Sequence, residues 1–462
     1  MRNIALALVT SVLLASGAGA ADLPAVVHKQ GTDVYSEPRL DSPKVAALLR
    51  GTIVTVAAQQ GLWYRVQLPA GAVGFVRVND VRVGYGGTEG DEASVRALLG
   101  GKSGEGRVTE TAGVRGIDES DLKSAAPDAA QLNAMIGNRV DAATASANAT
   151  SHGWQTTSVA YVGEARGTAG ETPAPQAVTA QTPESKPKKS GLLGSLGEFG
   201  AMLGDAAKSA VGAASTTAAT STGVPADKLV PKTGADVAAE EVALGPEVAS
   251  RVLGARPLWS DAEAQRRVNL IGRWVASQTS RPDLPWTFAV IDTPEVNAYA
   301  APGGFILVAR GMYELLSSDA EVAAVLGHEI SHCVQSDHYN VIRKQELASA
   351  SKELAMREVG TGSDNVASTY ARQYVEQYGA TVLLTALDRE AEYRADEAAQ
   401  IYLARSGMNP LALYAVLQKM TALGTESASL AELNKTHPPL DERLNRIDQR
   451  GYGALEPYLA RE

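Results

Sequence analysis

Asp319-Ala320-Glu321-Val322-Ala323-Ala324-Val325-Leu326-Gly327-His328-Glu329-Ile330-Ser331-His332 is the stretch on which the reading of this chain turns. Asp319 can cap a helix and Val325 and Ile330 continue its apolar face, so a helix is predicted from Asp319 to about Ile342. On it, His328 and His332 are four apart and lie one above the other on a single face. Two such imidazoles can meet one tetrahedral zinc ion, at about 2.0–2.1 Å each. Glu329, beside the first histidine, can reach the position where water sits and act as a general base. The chain has only 6 histidines, so a chance pairing of this form is rare.

A catalytic zinc site takes three protein ligands and keeps one position open. The third ligand is expected to be a carboxylate from elsewhere in the chain. After two predicted helices comes the acidic run Asp388 to Glu397. It is either a solvated helix face or the source of that ligand. Glu392 and Asp396 are again four apart, beside Ala395 and Ala399. In the second case Glu392 binds zinc and Asp396 accepts the N–H of a ligand histidine, fixing its tautomer.

Outward from this centre, Ala238 to Leu253 and Asp261 to Ser277 have helical periodicity. Pro285 to Val290 reads as a strand, and Asn297 to Val308 as two strands about the turn Ala301-Pro302-Gly303-Gly304. Cys333 points about 100° away from His332 on a helix and is expected to be a buried thiol rather than a ligand.

The whole chain has 462 residues, which suggests roughly three units. Its 45% hydrophobic and 20% charged residues permit a packed core and exclude wholesale disorder. A net charge of -10 argues against a dedicated nucleic-acid binder, and no nucleic-acid partner is expected. One cysteine leaves no intramolecular disulfide and no Cys-rich zinc module.

Residues 1–20 read as a signal peptide: Arg2, an apolar run from Ile4 to Leu14, and Ala18-Gly19-Ala20 before the expected cleavage point. The mature protein is therefore expected to be exported, soluble and periplasmic. Residues 26–84 alternate β-rich runs with turns, residues 104–136 form a small helical segment, and residues 140–230 read as a flexible Ala/Thr/Ser/Gly/Pro-rich linker. Inside the linker, Leu192, Leu196, Phe199 and Leu203 fall at helical spacing. They form either a surface-lying amphipathic helix or a weak, Gly-interrupted one, so membrane contact is at most peripheral. The metal motif falls in the last unit, residues 236–450.

Two resemblances add to this. The pieces Val34-Tyr35-Ser36-Glu37-Pro38, Gly51-Thr52-Ile53-Val54, Trp63-Tyr64-Arg65-Val66 and Gly74-Phe75-Val76 resemble a bacterial SH3-like barrel. That implies a peptide or cell-wall ligand, with Trp63 either core or ligand platform. The later half resembles the HtpX and CAAX-prenyl-protease family of zinc metallopeptidases, with its Oma-like and BepA-like periplasmic members. The resemblance rests on Asn297 to Ile306, Arg310 to Leu316, the HExxH run, Glu392-Tyr393-Arg394-Ala395-Asp396, and Thr436-His437-Pro438-Pro439 followed by Asp441-Glu442-Arg443-Leu444.

The resemblance implies one zinc per chain on His328, His332 and Glu392, with Glu329 as base and Asp396 behind the ligands. It implies that His437 steadies an oxyanion or fills the open position in a latent state. The fold expected is multidomain: a small all-β barrel plus a mainly helical (α+β) gluzincin-type metallopeptidase with a small sheet. The strand Asn297-Ala298-Tyr299-Ala300 is expected to hold extended substrate by β-augmentation. Unfolded or misfolded polypeptides are the expected substrates, as in quality control of exported or outer-membrane proteins. Gly360-Thr361-Gly362-Ser363 is a candidate lid. A wall-lytic enzyme and a non-catalytic scaffold are the rival readings.

Overall fold

Alternation of buried and exposed residues builds the first unit of structure. Its strands are β1 (Leu23–Val27), β2 (Gly31–Tyr35), β3 (Lys44–Leu49), β4 (Ile53–Gln60), β5 (Trp63–Gln67), β6 (Val73–Arg77) and β7 (Val81–Val83). They form one sheet in the order β3-β2-β6-β5-β4-β1-β7, an SH3-like arrangement. Val34, Val54, Val56, Tyr64, Val66 and Val76 fill its interior. The barrel begins at Leu23, earlier than residue 26, because β1 pairs with both β4 and β7. Trp63 belongs to the core: it is buried, with Tyr35 edge-on at 5.4 Å and the Arg77 guanidinium over its ring at 5.2 Å.

This computed structural model describes residues 23–69, 71–84, 117–161, 163, 234–353, 366–424 and 427–461. Residues 1–20, read as a signal peptide, residues 104–116, residues 164–230, where an apolar helix was one reading, and residues 360–363, the candidate lid, lie outside them. The chain divides into two compact units. One holds 1–168, 233–344 and 363–462; of the other, 169–232 with 345–362, the described part is Gln345–Glu353. Among the described residues no helix is long and apolar enough to cross a membrane.

Among the described residues, three short helices come after the barrel: α1 (Glu119–Ser124), α2 (Ala129–Gly137) and α3 (Ala142–Ser151). The last corrects the expected linker, which was set to begin at 140. Asp141 caps α3 by accepting the Thr144 N–H at 2.7 Å, and Ala145 and Ala149 are buried. Its small residues, which resemble linker composition, are what allow close packing on a neighbour. The chain stays packed beyond it, with the Thr157 N–H on Arg405 O at 3.0 Å and Val159 buried.

Among the described residues the further strands and α-helices are α4 (Gly234–Ala255), α5 (Ala262–Ala276), β8 (Thr287–Ile291), β9 (Ala298–Ala301), β10 (Phe305–Ala309), α6 (Arg310–Leu315), α7 (Asp319–Val334), α8 (Asp337–Glu353), α9 (Val366–Tyr378), α10 (Arg389–Arg405), α11 (Leu411–Ala422), α12 (Ala431–Thr436) and α13 (Leu440–Arg450). The small sheet runs β8-β10-β9, parallel then antiparallel, with β9 at the edge. The turn into β10 carries Gly303 at φ 71°, where an added Cβ would meet Glu241 O and Val242 Cα at 2.8 Å.

The helix predicted to run from Asp319 to Ile342 is two helices. Its cap is Ser318, whose Oγ accepts the Glu321 N–H at 3.2 Å, and it stops at Val334. Ser336 at φ 55° breaks it before α8 starts at Asp337.

Barrel and helical domain share one core. Gln418 on α11 is fully buried and joins them. Its Oε1 accepts the Val83 N–H at 3.2 Å, and its Nε2 donates to Val81 O at 2.6 Å and Val78 O at 3.1 Å. Beside it Lys419, fully buried, donates to Glu321 Oε2 at 2.8 Å, and Gln59 of the barrel donates to Glu321 Oε1 at 3.1 Å. Arg82 pairs with Asp448 on α13 across the same joint.

Candidate metal centre

Two helices supply the centre, and small residues bring them together. Gly327 on α7 faces Ala399 on α10, where a Cβ would lie 3.3 Å from the Ala399 Cα. Ala395 and Ala398 are fully buried in α10. This close approach puts His328 and His332 opposite Glu392.

His328 Nε2 and His332 Nε2 are 3.2 Å apart. Glu392 Oε2 lies 3.5 Å from His328 Nε2, and Oε1 lies 3.7 Å from His332 Nε2. His328 is 4% exposed and Glu392 1% exposed, so water screens little here. Ligand-type atoms of these three residues all fall within 4.8 Å of one another. His328, Glu329 and His437 form an overlapping cluster of the same kind.

The donor chemistry fits a cation. His328 Nδ1 faces Asp396 Oδ1 at 3.1 Å, and His332 Nδ1 faces Asp337 Oδ2 at 2.9 Å. Carboxylates are acceptors only, so each ring carries a proton on Nδ1 and turns its Nε2 inward. Glu392 Oε2 is buried without a hydrogen-bond partner. Two inward-facing Nε2 atoms and an orphaned carboxylate oxygen in a dry space form a donor set that would hold a cation.

The same carboxylates draw positive charge to the centre, as a proton that a metal ion would displace. Burial and Arg443 oppose a charge on His328, but the Asp396 and Glu392 carboxylates outweigh them and lift its pKa to about 9. Burial also works against the Glu392 carboxylate, yet the rings of His437, His328 and His332 hold it well below the usual carboxylate range. Glu329, also buried, is pushed above that range by desolvation, against the pull of His328 and His332. A carboxyl raised in this way holds a proton more readily than a free one, which suits a group that takes and returns it.

Of the residues read from the sequence, His328, Glu329, His332, Glu392, Asp396 and His437 come together. His437 Nε2 lies 3.6 Å from Glu392 Oε2. Burial lowers its pKa to about 3, so the ring is neutral. Thr436 Oγ1 donates to Glu432 O at 2.9 Å and therefore accepts from His437 Nδ1 at 2.9 Å. This leaves the His437 Nε2 lone pair pointing at the centre.

Asn297, Ala298, Tyr299 and Ala300 line one cavity with Glu329, His332 and Glu392. All four are buried although β9 is an edge strand. The 3₁₀ turn Thr381–Leu384 packs beside β9, and Leu383, Thr385 and Leu387 close the same cavity. Cys333 is buried, with its Sγ on Ala301 O at 3.4 Å.

Two groups carry more weight than sequence reading gave them. Arg443 is buried and holds Asp396 with two hydrogen bonds, Nε to Oδ2 at 3.0 Å and Nη2 to Oδ1 at 2.6 Å. It lies six residues after His437, and that run was the available signal. Asp337 had none, because the turn that places it is not legible in sequence.

Residues 262–451 match the profile of peptidase family M48, and residues 30–82 that of the bacterial SH3 domain. The chain is similar to the beta-barrel assembly-enhancing protease of Yersinia pestis, 26% identical over 240 residues, covering 49% of this chain and 48% of that one. It is similar to the mitochondrial metalloendopeptidase OMA1 of Arabidopsis thaliana, 30% identical over 166 residues, 36% of this chain and 32% of that one. It is also similar to the protease HtpX of Pseudomonas fluorescens, 29% identical over 191 residues, 34% of this chain and 63% of that one. The chain thus spans about half the length of the first of these.

Proposed function

We propose that this chain, whose residues 262–451 are a peptidase family M48 domain, is a zinc-dependent metalloendopeptidase that hydrolyses peptide bonds of protein substrates. The observation that carries the reading is the convergence of His328, His332 and Glu392 with Glu329 beside them. Two imidazoles and one carboxylate suit zinc with a position left open. When bound, the metal supplies Lewis acidity that polarises a carbonyl and acidifies water.

The chain's own residues do the rest. His328, His332 and Glu392 hold the ion, and Asp396 keeps the His328 ring in its Nε2-ligating tautomer. Glu329 takes a proton from the attacking water and delivers it to the leaving amine. His437 has two roles open to it. With Nδ1 bound to Thr436, its Nε2 is an acceptor and fits a resting state in which it fills the open position. Steadying an oxyanion requires the ring to carry a proton on Nε2 instead.

Substrate recognition follows from β9. Its edge offers backbone hydrogen bonds to an extended chain, which reads unfolded polypeptide rather than a side-chain motif. The turn at Thr381–Leu384 must move aside first. We place the enzyme in quality control of misfolded exported or outer-membrane proteins, in the periplasm. The signal peptide and the similarity to the beta-barrel assembly-enhancing proteases support that reading. A peptide or cell-wall ligand is proposed for the barrel.

The test pairs zinc content with casein cleavage for the mature protein and Glu329→Gln. One zinc per chain in both, with cleavage only in the parent, supports the reading. No zinc in either overturns it. Release of muropeptides instead of casein fragments would mean a wall enzyme.

A further inference from the structure

We propose that Asp337 is a positioning residue for His332 and, together with Arg394, sets how tightly the centre holds its cation. The inference rests on the metallopeptidase reading above and adds a residue to it.

The chain leaves α7 through Ser336, the one non-glycine residue at positive φ among the described residues. That conformation costs on the order of 1 kcal/mol for a residue with a Cβ and persists only when the surroundings impose it. Here they do. Arg281 Nη1 donates to Cys333 O at 2.8 Å, capping the end of α7, and to Ser336 Oγ at 3.0 Å. Ser336 Oγ donates to Glu241 Oε2 at 3.0 Å, and Glu241 itself is paired with Arg281 at 2.8 Å. A buried clamp from α4 and the loop after α5 thus fixes the turn. The turn sends the Asp337 side chain back against the helix it has just left.

There Asp337 Oδ2 meets His332 Nδ1 at 2.9 Å, and Oδ1 accepts from Arg394 Nη2 at 3.2 Å. Arg394 stands two residues beyond Glu392 on α10. The centre therefore has two arms of one design. His328 leads to Asp396 and Arg443, and His332 leads to Asp337 and Arg394. The arms differ in exposure. The Arg443 side chain is 4% exposed and the Arg394 side chain 33%. The first arm is sealed in the core, while the second reaches solvent and is the one that ionic conditions can adjust.

An acidic residue in the first turn of α8 also has a bland use, because it complements the helix dipole. Asparagine serves nearly as well at a helix start, so Asp337→Asn separates the two roles. It preserves the turn and removes the charge behind the ring. A histidine ligand that loses such a partner typically loses about 10–100-fold in metal affinity.

The test uses the full mature chain carrying Glu329→Gln, to prevent self-cleavage. Zn(II) affinity is measured by competition with a chromophoric chelator, and Co(II) visible absorption reports ligand geometry. Asp337→Asn is expected to weaken Zn(II) binding about 10–100-fold and to shift the Co(II) bands, with Asp337→Glu recovering most of the affinity. Arg394→Ala is expected to weaken binding by less than Asp337→Asn, with the deficit shrinking at high salt. Parent-like affinity and spectrum in Asp337→Asn would overturn the proposal, even if its metal-free form melts lower. If Asp337→Asn does not fold, Arg394→Ala decides, and parent-like affinity at low salt overturns the proposal. A parent that binds no metal fails the metallopeptidase reading itself, which is a different result from a parent and variant that bind alike.

Discussion

His328 and His332 turn their Nε2 atoms toward each other at 3.2 Å, while their Nδ1 atoms are taken by two different aspartates. That opposition defines a cavity for one positive ion, with Glu392 as its third wall. Glu392→Gln removes the carboxylate that balances the ion. The variant is expected to lose stoichiometric zinc after dialysis, measured by atomic absorption, while its metal-free fold is retained by circular dichroism.

Arg443 neutralises Asp396, whose carboxylate is buried and held well below its usual range once Arg443 outweighs the cost of burial. Arg443→Ala leaves that charge uncompensated and is expected to destabilise the metal-free protein by about 3–5 kcal/mol in urea denaturation. Arg443→Lys should recover only part of this, since an ammonium lacks the two-pronged geometry seen here.

Lys419 and Glu321 make a buried pair at the joint with the barrel. Lys419→Met is expected to cost about 3–5 kcal/mol by stranding the Glu321 charge. Adding Glu321→Gln should return most of that loss. A double-mutant cycle in urea measures the coupling, and purely additive effects would contradict the pairing.

His28 of the barrel sits 3.5 Å from Asp448, and its Nε2 donates to Asn79 O at 2.8 Å and lies 3.3 Å from the Tyr414 hydroxyl. Burial pushes its pKa below 6.5, against the pull of Asp448. Below pH 6.5 the unfolded chain therefore binds more protons at this site than the folded one, and stability falls as pH drops. The sign predicts that the melting temperature of the parent falls relative to His28→Gln between pH 7.5 and pH 5. A difference that stays flat across the range would refute it.

The turn at Thr381–Leu384 covers β9, so loosening it should expose the edge. Leu383 is buried between that turn and the strand. Leu383→Ala is expected to raise the basal rate on unfolded casein several-fold, read as kcat/KM, with unchanged zinc content.

Local periodicity made the centre legible in sequence. His328 and His332, and likewise Glu392 and Asp396, are one helical turn apart, so a one-dimensional spacing fixed a shared face. The barrel strands were legible for the same reason at period two. What stayed hidden depends on breaks and on packing. Nothing in Gln335-Ser336 announces that the helix ends there, because Arg281 and Glu241 impose the turn from elsewhere. Residues 142–151 have the composition of a linker, and only the cap at Asp141 and burial of two alanines make them a helix. Arg443 was visible as part of a pattern, but its grip on Asp396 is a tertiary fact.

The buried seat of Gln418 in the barrel removes the slack that a tethered recognition module would have. Were the barrel to hold a peptide, as proposed, it would present that chain to the metal centre along a set vector rather than by a random search at some effective concentration. The pair of sites then works as a caliper. Cuts would then fall at a constant contour length from the gripped segment, and the spacing of products along a long unfolded substrate would be a dimension of the enzyme rather than of the substrate's sequence.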